Sequence, residues 1–160
     1  MKILTQDIKN KIDALKKQFP KDRQRSAVIG ALHLIQHKND GYLTSELMGE
    51  LADYLDIPAM QVYEVATFYS MFNTKPVGRN NVAICTNISC MLRGANEIVD
   101  YVEKKLAIKL GESTKDGRIF LKKEEECLAA CCGAPMMMVN HNYHENLTIE
   151  KIDEILGDLD

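Results

Sequence analysis

Five cysteines carry most of the chemistry available to this sequence. All lie in its second half, in two tight groups: Cys85-Thr-Asn-Ile-Ser-Cys90, and Cys127-Leu-Ala-Ala-Cys131 with Cys132 immediately behind. In a reducing compartment, thiols clustered in this way point to metal or redox chemistry rather than to disulfides. Four thiolates complete the sulfur shell of a 2Fe-2S cluster, two per iron around the bridging sulfides. The same four could hold a structural zinc. Zinc pairs usually have two to four residues between ligands, so the second group suits zinc comfortably and the first only marginally. A thioredoxin-like dithiol is the weakest reading, because the C-x-x-C spacing is absent. Spacing does not choose between Cys131 and Cys132, since Cys132 would make two identical C-x4-C pairs. Each cysteine loop is expected to follow a strand. The first opens a helix at Cys90, where backbone N–H groups would favour the thiolate.

Other candidates have plainer readings. His33 and His37 stand one helical turn apart but lack the glutamate of an H-E-x-x-H zinc site, so they read as surface or packing residues. His141 and His144 flank a turn. Met136, Met137 and Met138 read as strand residues alternating between core and surface. Arg93 follows the first cysteine loop and could offset negative charge there or meet a partner. No G-x-G-x-x-G opens a helix after a strand and no P-loop is present, so nucleotide chemistry is expected elsewhere.

The elements that must position the cysteines follow from periodicity. The 160 residues suit one globular domain or two small ones. The formal charge of -3 argues against a phosphate-backbone binder, so nucleic acid is not an expected partner. The N-terminus mixes both charge signs without an apolar run, and no window reaches the ~18 apolar residues of a membrane span. A cytoplasmic chain with neither targeting peptide nor membrane insertion is expected.

Residues 1–72 read as a helical bundle. Ile8, Ile12, Leu15 and Phe19 form one stripe ended by Pro20, and Val28, Leu32 and Ile35 a second, ended at Asn39-Asp-Gly41. Thr44 caps a third helix carrying Leu47, Leu51 and Tyr54. Pro58 starts a fourth, with Val62, Val65 and Tyr69 facing inward. Residues 73–81 gather turn formers and read as a linker. From 82 to 160 the pattern becomes α/β: a strand at Val82–Ile84, a helix from Met91 to Leu106, and strands at Ile119–Leu121 and Met136–Val139. A reversal at Asn140-His-Asn142 and a last helix capped by Thr148 through Ile149, Ile152 and Leu156 complete it.

With these residues in view, the chain resembles the thioredoxin-like 2Fe-2S ferredoxin subunits of respiratory NADH:quinone oxidoreductase, complex I (the NADH dehydrogenase flavoprotein 2 family). The resemblance rests on Cys85-Thr-Asn-Ile-Ser-Cys-Met-Leu-Arg-Gly94, Cys127-Leu-Ala-Ala-Cys131 and Gly133-Ala-Pro-Met136. It extends to Asp116-Gly-Arg118, Ala31-Leu-His-Leu-Ile-Gln36 and Val62-Tyr-Glu-Val-Ala-Thr-Phe-Tyr-Ser-Met-Phe72. That family uses C-x4-C and C-x3-C, which implies Cys85, Cys90, Cys127 and Cys131 as cluster ligands and Cys132 as a bystander. It also implies a helical bundle followed by a thioredoxin-like ferredoxin domain, with FMN and NADH bound on a partner subunit among the other peripheral-arm subunits. The chain itself would exchange single electrons, with no catalytic side chain and no NADH turnover in isolation. Related subunits serve NAD-linked hydrogenases and formate dehydrogenases, and a zinc-stabilised interaction module is the alternative of another class. Three departures stand out. Ala129 occupies a place usually held by Gly, where a positive φ would cost about 1 kcal/mol or divert the loop. Cys132 is extra. Glu125 replaces a residue that is often apolar.

Overall fold

Thr5 opens the first helix by accepting the Ile8 N–H at 3.5 Å, and α1 runs Gln6–Lys16 with Asp7 at its positive end. In the computed structural model, residues 4–123 and 127–160 are described. They fall into two compact units, Met1–Pro76 and Val77–Asp160. Glu125 lies outside the described residues.

In the first unit, Ile8 and Ile12 are buried as the stripe predicts, but α1 stops at Lys16 and Phe19 is not on it. A 3-10 turn, Lys21–Ala27, occupies the charged stretch and leads into α2, Val28–Lys38, which buries Val28, Ala31, Leu32 and Ile35. The Thr44 side chain accepts the Leu47 N–H at 3.3 Å and caps α3, Ser45–Leu55. Pro58, whose missing N–H is harmless there, stands just before α4, Ala59–Phe68. Val62 and Ala66 fill the core from α4. Tyr69, expected to face inward, lies past the helix end in extended backbone and is 36% exposed. Ile12, Leu32, Ile35 and Leu51 are fully buried in this core, each contributing about 1.5–3 kcal/mol of apolar burial.

The second unit is a five-stranded sheet in the order β2-β3-β1-β4-β5. Its strands are β1 (Asn80–Ile84), β2 (Glu112–Ser113), β3 (Ile119–Leu121), β4 (Met137–Val139) and β5 (Asn142–His144). β1 runs parallel to β3 and antiparallel to β4, and β4 pairs antiparallel with β5. The expected helix over Met91–Leu106 is in fact two: α5, Ile88–Met91, and α6, Ala95–Leu106. Gly94 separates them with φ +86°, a conformation that glycine adopts without steric cost. The Thr148 side chain accepts the Lys151 N–H at 3.3 Å to open α7, Ile149–Gly157. Ile152 and Leu156 are buried from α7, whereas Ile149 is 38% exposed. The short edge strand β2 had no sequence signal.

Strand alternation sorts side chains between two cores. Val82 and Ile84 on β1, with Met137 and Val139 on β4, join Ile98, Val102, Ile152 and Leu156 in one apolar cluster. Ala83, Cys85, Met136 and Met138 belong to the other, with Cys90, Ala95, Leu128 and Ala134. Met136 and Met137 are both buried and Met138 partly so. The methionine run thus alternates between two interiors, rather than between core and surface as expected. Among the described residues no helix is long and apolar enough to cross a membrane.

Candidate metal centre

Cys85 follows β1 with the same parity as Ala83, which brings it to the sheet face opposite the α6–α7 core. Its N–H donates to the Met136 carbonyl at 3.2 Å, so the β1–β4 pairing continues into the site. Asn87 caps α5 by accepting the Ile88 N–H, and this short turn carries Cys90 back beneath the same face. Cys85 and Cys90 are 2% and 1% exposed. Cys127 and Cys131 approach from the loop between β3 and β4, and both are exposed.

The sulfurs of Cys127 and Cys131 lie 3.8 Å apart. Two sulfurs at ~2.3 Å from one tetrahedral metal would be separated by ~3.8 Å, so this pair is spaced to share a metal. Cys85 interacts with both Cys90 and Cys127, and Cys90 and Cys127 each sense Cys131. Among the described residues these electrostatic interactions link Cys85, Cys90, Cys127 and Cys131. Cys132, also exposed, is outside them. Successive residues of the 3-10 turn Cys131–Gly133 point about 120° apart, so Cys131 and Cys132 cannot both face the other sulfurs. No three His, Cys, Asp or Glu side chains among the described residues are grouped tightly enough for a single ion.

Backbone donors converge on the sulfurs from loops more than from a helix start. Burial opposes the Cys85 thiolate most strongly. The N–H groups of Leu128 and Asn87, with the Cys90 and Cys127 thiols, outweigh it and lower the Cys85 pKa. For Cys90 burial prevails: with the neighbouring Cys85 it pushes the thiol up to about 11, although the Met136 N–H acts the other way. At Cys90, desolvation of the charge is thus the larger effect. At Cys127 the Ala129 N–H, 3.4 Å from the sulfur, lowers the pKa. Cys131, burial and the charge of Cys85 together raise it above the usual value.

Ala129 takes φ +60°. The loop therefore keeps the left-handed path that glycine would follow and carries the strain, about 1–2 kcal/mol for a residue with a β-carbon. The path matters because it aims the Ala129 N–H at Cys127. Gly133 closes the loop under tighter restriction. A β-carbon there would run into the Glu145 side chain, its Cβ 2.5 Å away, and the Gly133 carbonyl accepts the Asn146 N–H at 2.6 Å. A cis Ala134–Pro135 peptide then leads to Met136.

The histidines stand on other elements. His33 and His37 are exposed on α2; the His33 ring packs 4.8 Å from that of Phe72, with Nε2 2.9 Å from Met71 Sδ. His141 is in the β4–β5 turn and His144 on β5. Sequence reasoning missed Leu128, Ala95 and Ala134, which pack around the cysteines, and the Leu128 and Met136 N–H groups aimed at sulfur. Only the β1 and β4 parity could have pointed to them.

Comparison with known proteins identifies the family. The NADH-quinone oxidoreductase subunit designated E in Rickettsia bellii (strain RML369-C) is 44% identical over 143 residues, 89% of this chain and 85% of its own length. The mitochondrial NADH dehydrogenase [ubiquinone] flavoprotein 2 of Dictyostelium discoideum is 40% identical over 155 residues, 94% of this chain and 62% of that protein. Among solved structures, an NAD+-reducing [NiFe]-hydrogenase in the air-oxidized state shares the fold with a TM-score of 0.68 at 21% identity. That match covers 81% of this chain and 22% of the hydrogenase chain. The family profile described as Thioredoxin-like [2Fe-2S] ferredoxin matches residues 12–160, and the chain belongs to that iron-sulfur family.

Proposed function

We propose that this chain is the electron-transfer subunit of a complex I-type NADH:quinone oxidoreductase, holding one 2Fe-2S cluster on Cys85, Cys90, Cys127 and Cys131. The unit Met1–Pro76 would be its helical domain and Val77–Asp160 its ferredoxin domain. The observation that carries the reading is the convergence of those four sulfurs, with Cys127 and Cys131 3.8 Å apart. Identities of 40–44% to quinone-reducing relatives over most of the chain support the choice of complex.

When bound, the cluster supplies exchange of one electron at a time. The chain's residues set the terms of that exchange. Leu128, Asn87, Met136 and Ala129 direct N–H dipoles at three of the sulfurs, which favours negative charge there. Ala83, Ala95, Leu128 and Met136 keep water from Cys85 and Cys90, which opposes it. NADH and FMN belong to a partner subunit, where reduced flavin can release electrons singly. The chain would reach the membrane only through the other peripheral-arm subunits.

Anaerobic purification followed by iron and acid-labile sulfide analysis tests the reading. The expected result is roughly two of each per chain and a reddish-brown oxidised protein. Stoichiometric zinc in colourless, iron-replete material would establish the interaction module instead. The isolated chain should not reduce an artificial acceptor with NADH. A role in an NAD-linked hydrogenase or formate dehydrogenase has weaker support, since the hydrogenase likeness at 21% identity speaks for the fold alone. A nickel-iron hydrogenase gene beside this one, in place of quinone-reducing membrane subunits, would reverse that preference.

A further inference from the structure

Arg93 joins the two halves of the cysteine site. Its own N–H donates to the Cys90 carbonyl at 3.1 Å, which ties it to the first loop. Its guanidinium Nη1 donates to the Ala134 carbonyl at 3.3 Å, on the segment that closes the second loop. Ala134 is itself bonded to that loop, its N–H donating to the Cys131 carbonyl at 3.3 Å. Two residues on, Met136 presents its N–H to the Cys90 sulfur and its carbonyl to the Cys85 N–H. The guanidinium is therefore pinned to a backbone segment whose two ends contact three of the four sulfur-bearing residues. Among the described residues no carboxylate pairs with Arg93, since the ion pairs there involve Lys11, Arg23, Lys105, Lys109 and Arg118. A positive charge with no carboxylate partner among the described residues thus stands one short turn from Cys90.

We propose that Arg93 is a positioning residue that raises the reduction potential of the cluster by holding its charge against the Ala134 carbonyl, beside the ligand loops. The proposal rests on the cluster assignment above. Reduction brings one electron and no compensating proton, so the site gains one unit of negative charge. A guanidinium held nearby stabilises that form relative to the oxidised one by Coulomb attraction. Arginine keeps its charge at any working pH, and the bond to the Ala134 carbonyl holds the guanidinium beside the ligand loops.

The test uses the full-length chain, anaerobically loaded, with midpoint potentials from EPR-monitored titration of wild type, Arg93→Gln and Arg93→Lys. Arg93→Gln keeps an N–H donor and drops the charge. Its equilibrium constant for reduction should fall about tenfold, equivalent to about 59 mV for a one-electron couple. Arg93→Lys keeps the charge and should recover more than half of that difference. High salt should shrink the gap between wild type and Arg93→Gln, because an exposed charge is screened. Equal potentials in all three proteins would overturn the proposal, as would a fall of equal size in Arg93→Lys and Arg93→Gln, which marks a purely structural clasp. If Arg93→Gln fails to load, the potential of Arg93→Met against Arg93→Lys decides by the same criterion. Wild-type chain that holds zinc instead of iron and sulfide defeats the cluster assignment itself, an outcome read from metal content before any potential is measured.

Discussion

The two cysteine pairs are built differently. Cys85 and Cys90 sit 2% and 1% exposed, one at the end of the central strand β1 and one on α5 beneath the sheet. Cys127 and Cys131 are exposed on a loop whose path depends on Ala129 at φ +60° and on the close fit of Gly133 against Glu145. The first pair belongs to the hydrophobic core of the unit, so the proposed ligands Cys85 and Cys90 are held in place by packing. The second pair is held by its loop, which Leu128 anchors in the same apolar cluster. The contrast predicts that ligand loss has two separable consequences, for the cluster and for the fold, and that they divide along the same line.

The largest effect is expected from serine at the cysteines. Cys90→Ser should abolish the cluster and also destabilise the chelator-treated, cluster-free chain by about 1–2 kcal/mol, because a hydroxyl replaces a thiol inside an apolar cluster. Cys131→Ser should lose the cluster or leave it labile with altered spectra, yet leave cluster-free stability within about 0.5 kcal/mol, as an exposed change. Cys132→Ser should keep the cluster. Urea denaturation and low-temperature EPR of the reduced proteins measure both quantities. Equal cluster-free stabilities for the Cys90 and Cys131 variants would erase the distinction between the pairs.

Gly133→Ala comes next. Its β-carbon would meet Glu145, so the loop must shift; a loss of about 1–3 kcal/mol is expected, with faster iron release to a chelator. Ala129→Gly should act in the opposite direction and more weakly. Relief of about 1–2 kcal/mol of left-handed strain is partly offset by about 0.4–1 kcal/mol of added freedom in the unfolded chain. Slower iron release, with the spectrum unchanged, would sharpen the view that loop conformation matters most at the second pair.

The smallest effect is a control away from the loops. Asp153 accepts from Lys105 at 2.8 Å and from the Tyr101 hydroxyl at 2.6 Å, and these bonds hold its carboxyl below the usual range. A depressed folded pKa means that the stabilisation is present above the unfolded value of about 3.9 and is lost as pH falls through the lower folded value. Asp153→Asn should flatten this acid dependence slightly in thermal melts between about pH 2 and 5. At neutral pH it should leave the cluster spectrum unchanged.

What could be read without coordinates was local. The Val28-Leu32-Ile35 stripe, the Thr44 and Thr148 caps and the β1 and β3 segments follow from spacing and from hydrogen bonds within a few residues. The misreadings were equally local patterns overridden at their edges. Phe19 continued a helical spacing that the backbone left at Lys16. Tyr69 continued the α4 stripe past the helix end. Gly94 at φ +86° split one expected helix into α5 and α6. A period states which residues share a face, not where the hydrogen-bond ladder stops.

By itself the sequence determined the inventory of the site: two groups of thiols at unequal spacing, and a helical first half before an α/β second half. Resemblance to a family chose among the thiols; the match to residues 12–160 shows the family. Only the tertiary structure decided the rest. Strand parity and register set Ala83 opposite Met138 and brought Cys85 into the interior facing the loops. The turn of the chain at Cys131–Gly133 directed Cys131 and Cys132 apart. Of the N–H groups that reach sulfur, those of Asn87 and Ala129 are local, whereas those of Leu128 and Met136 come from a segment far along the chain from Cys85 and Cys90. Contacts over such separations depend on how the sheet is threaded and packed, which no window of neighbouring residues encodes.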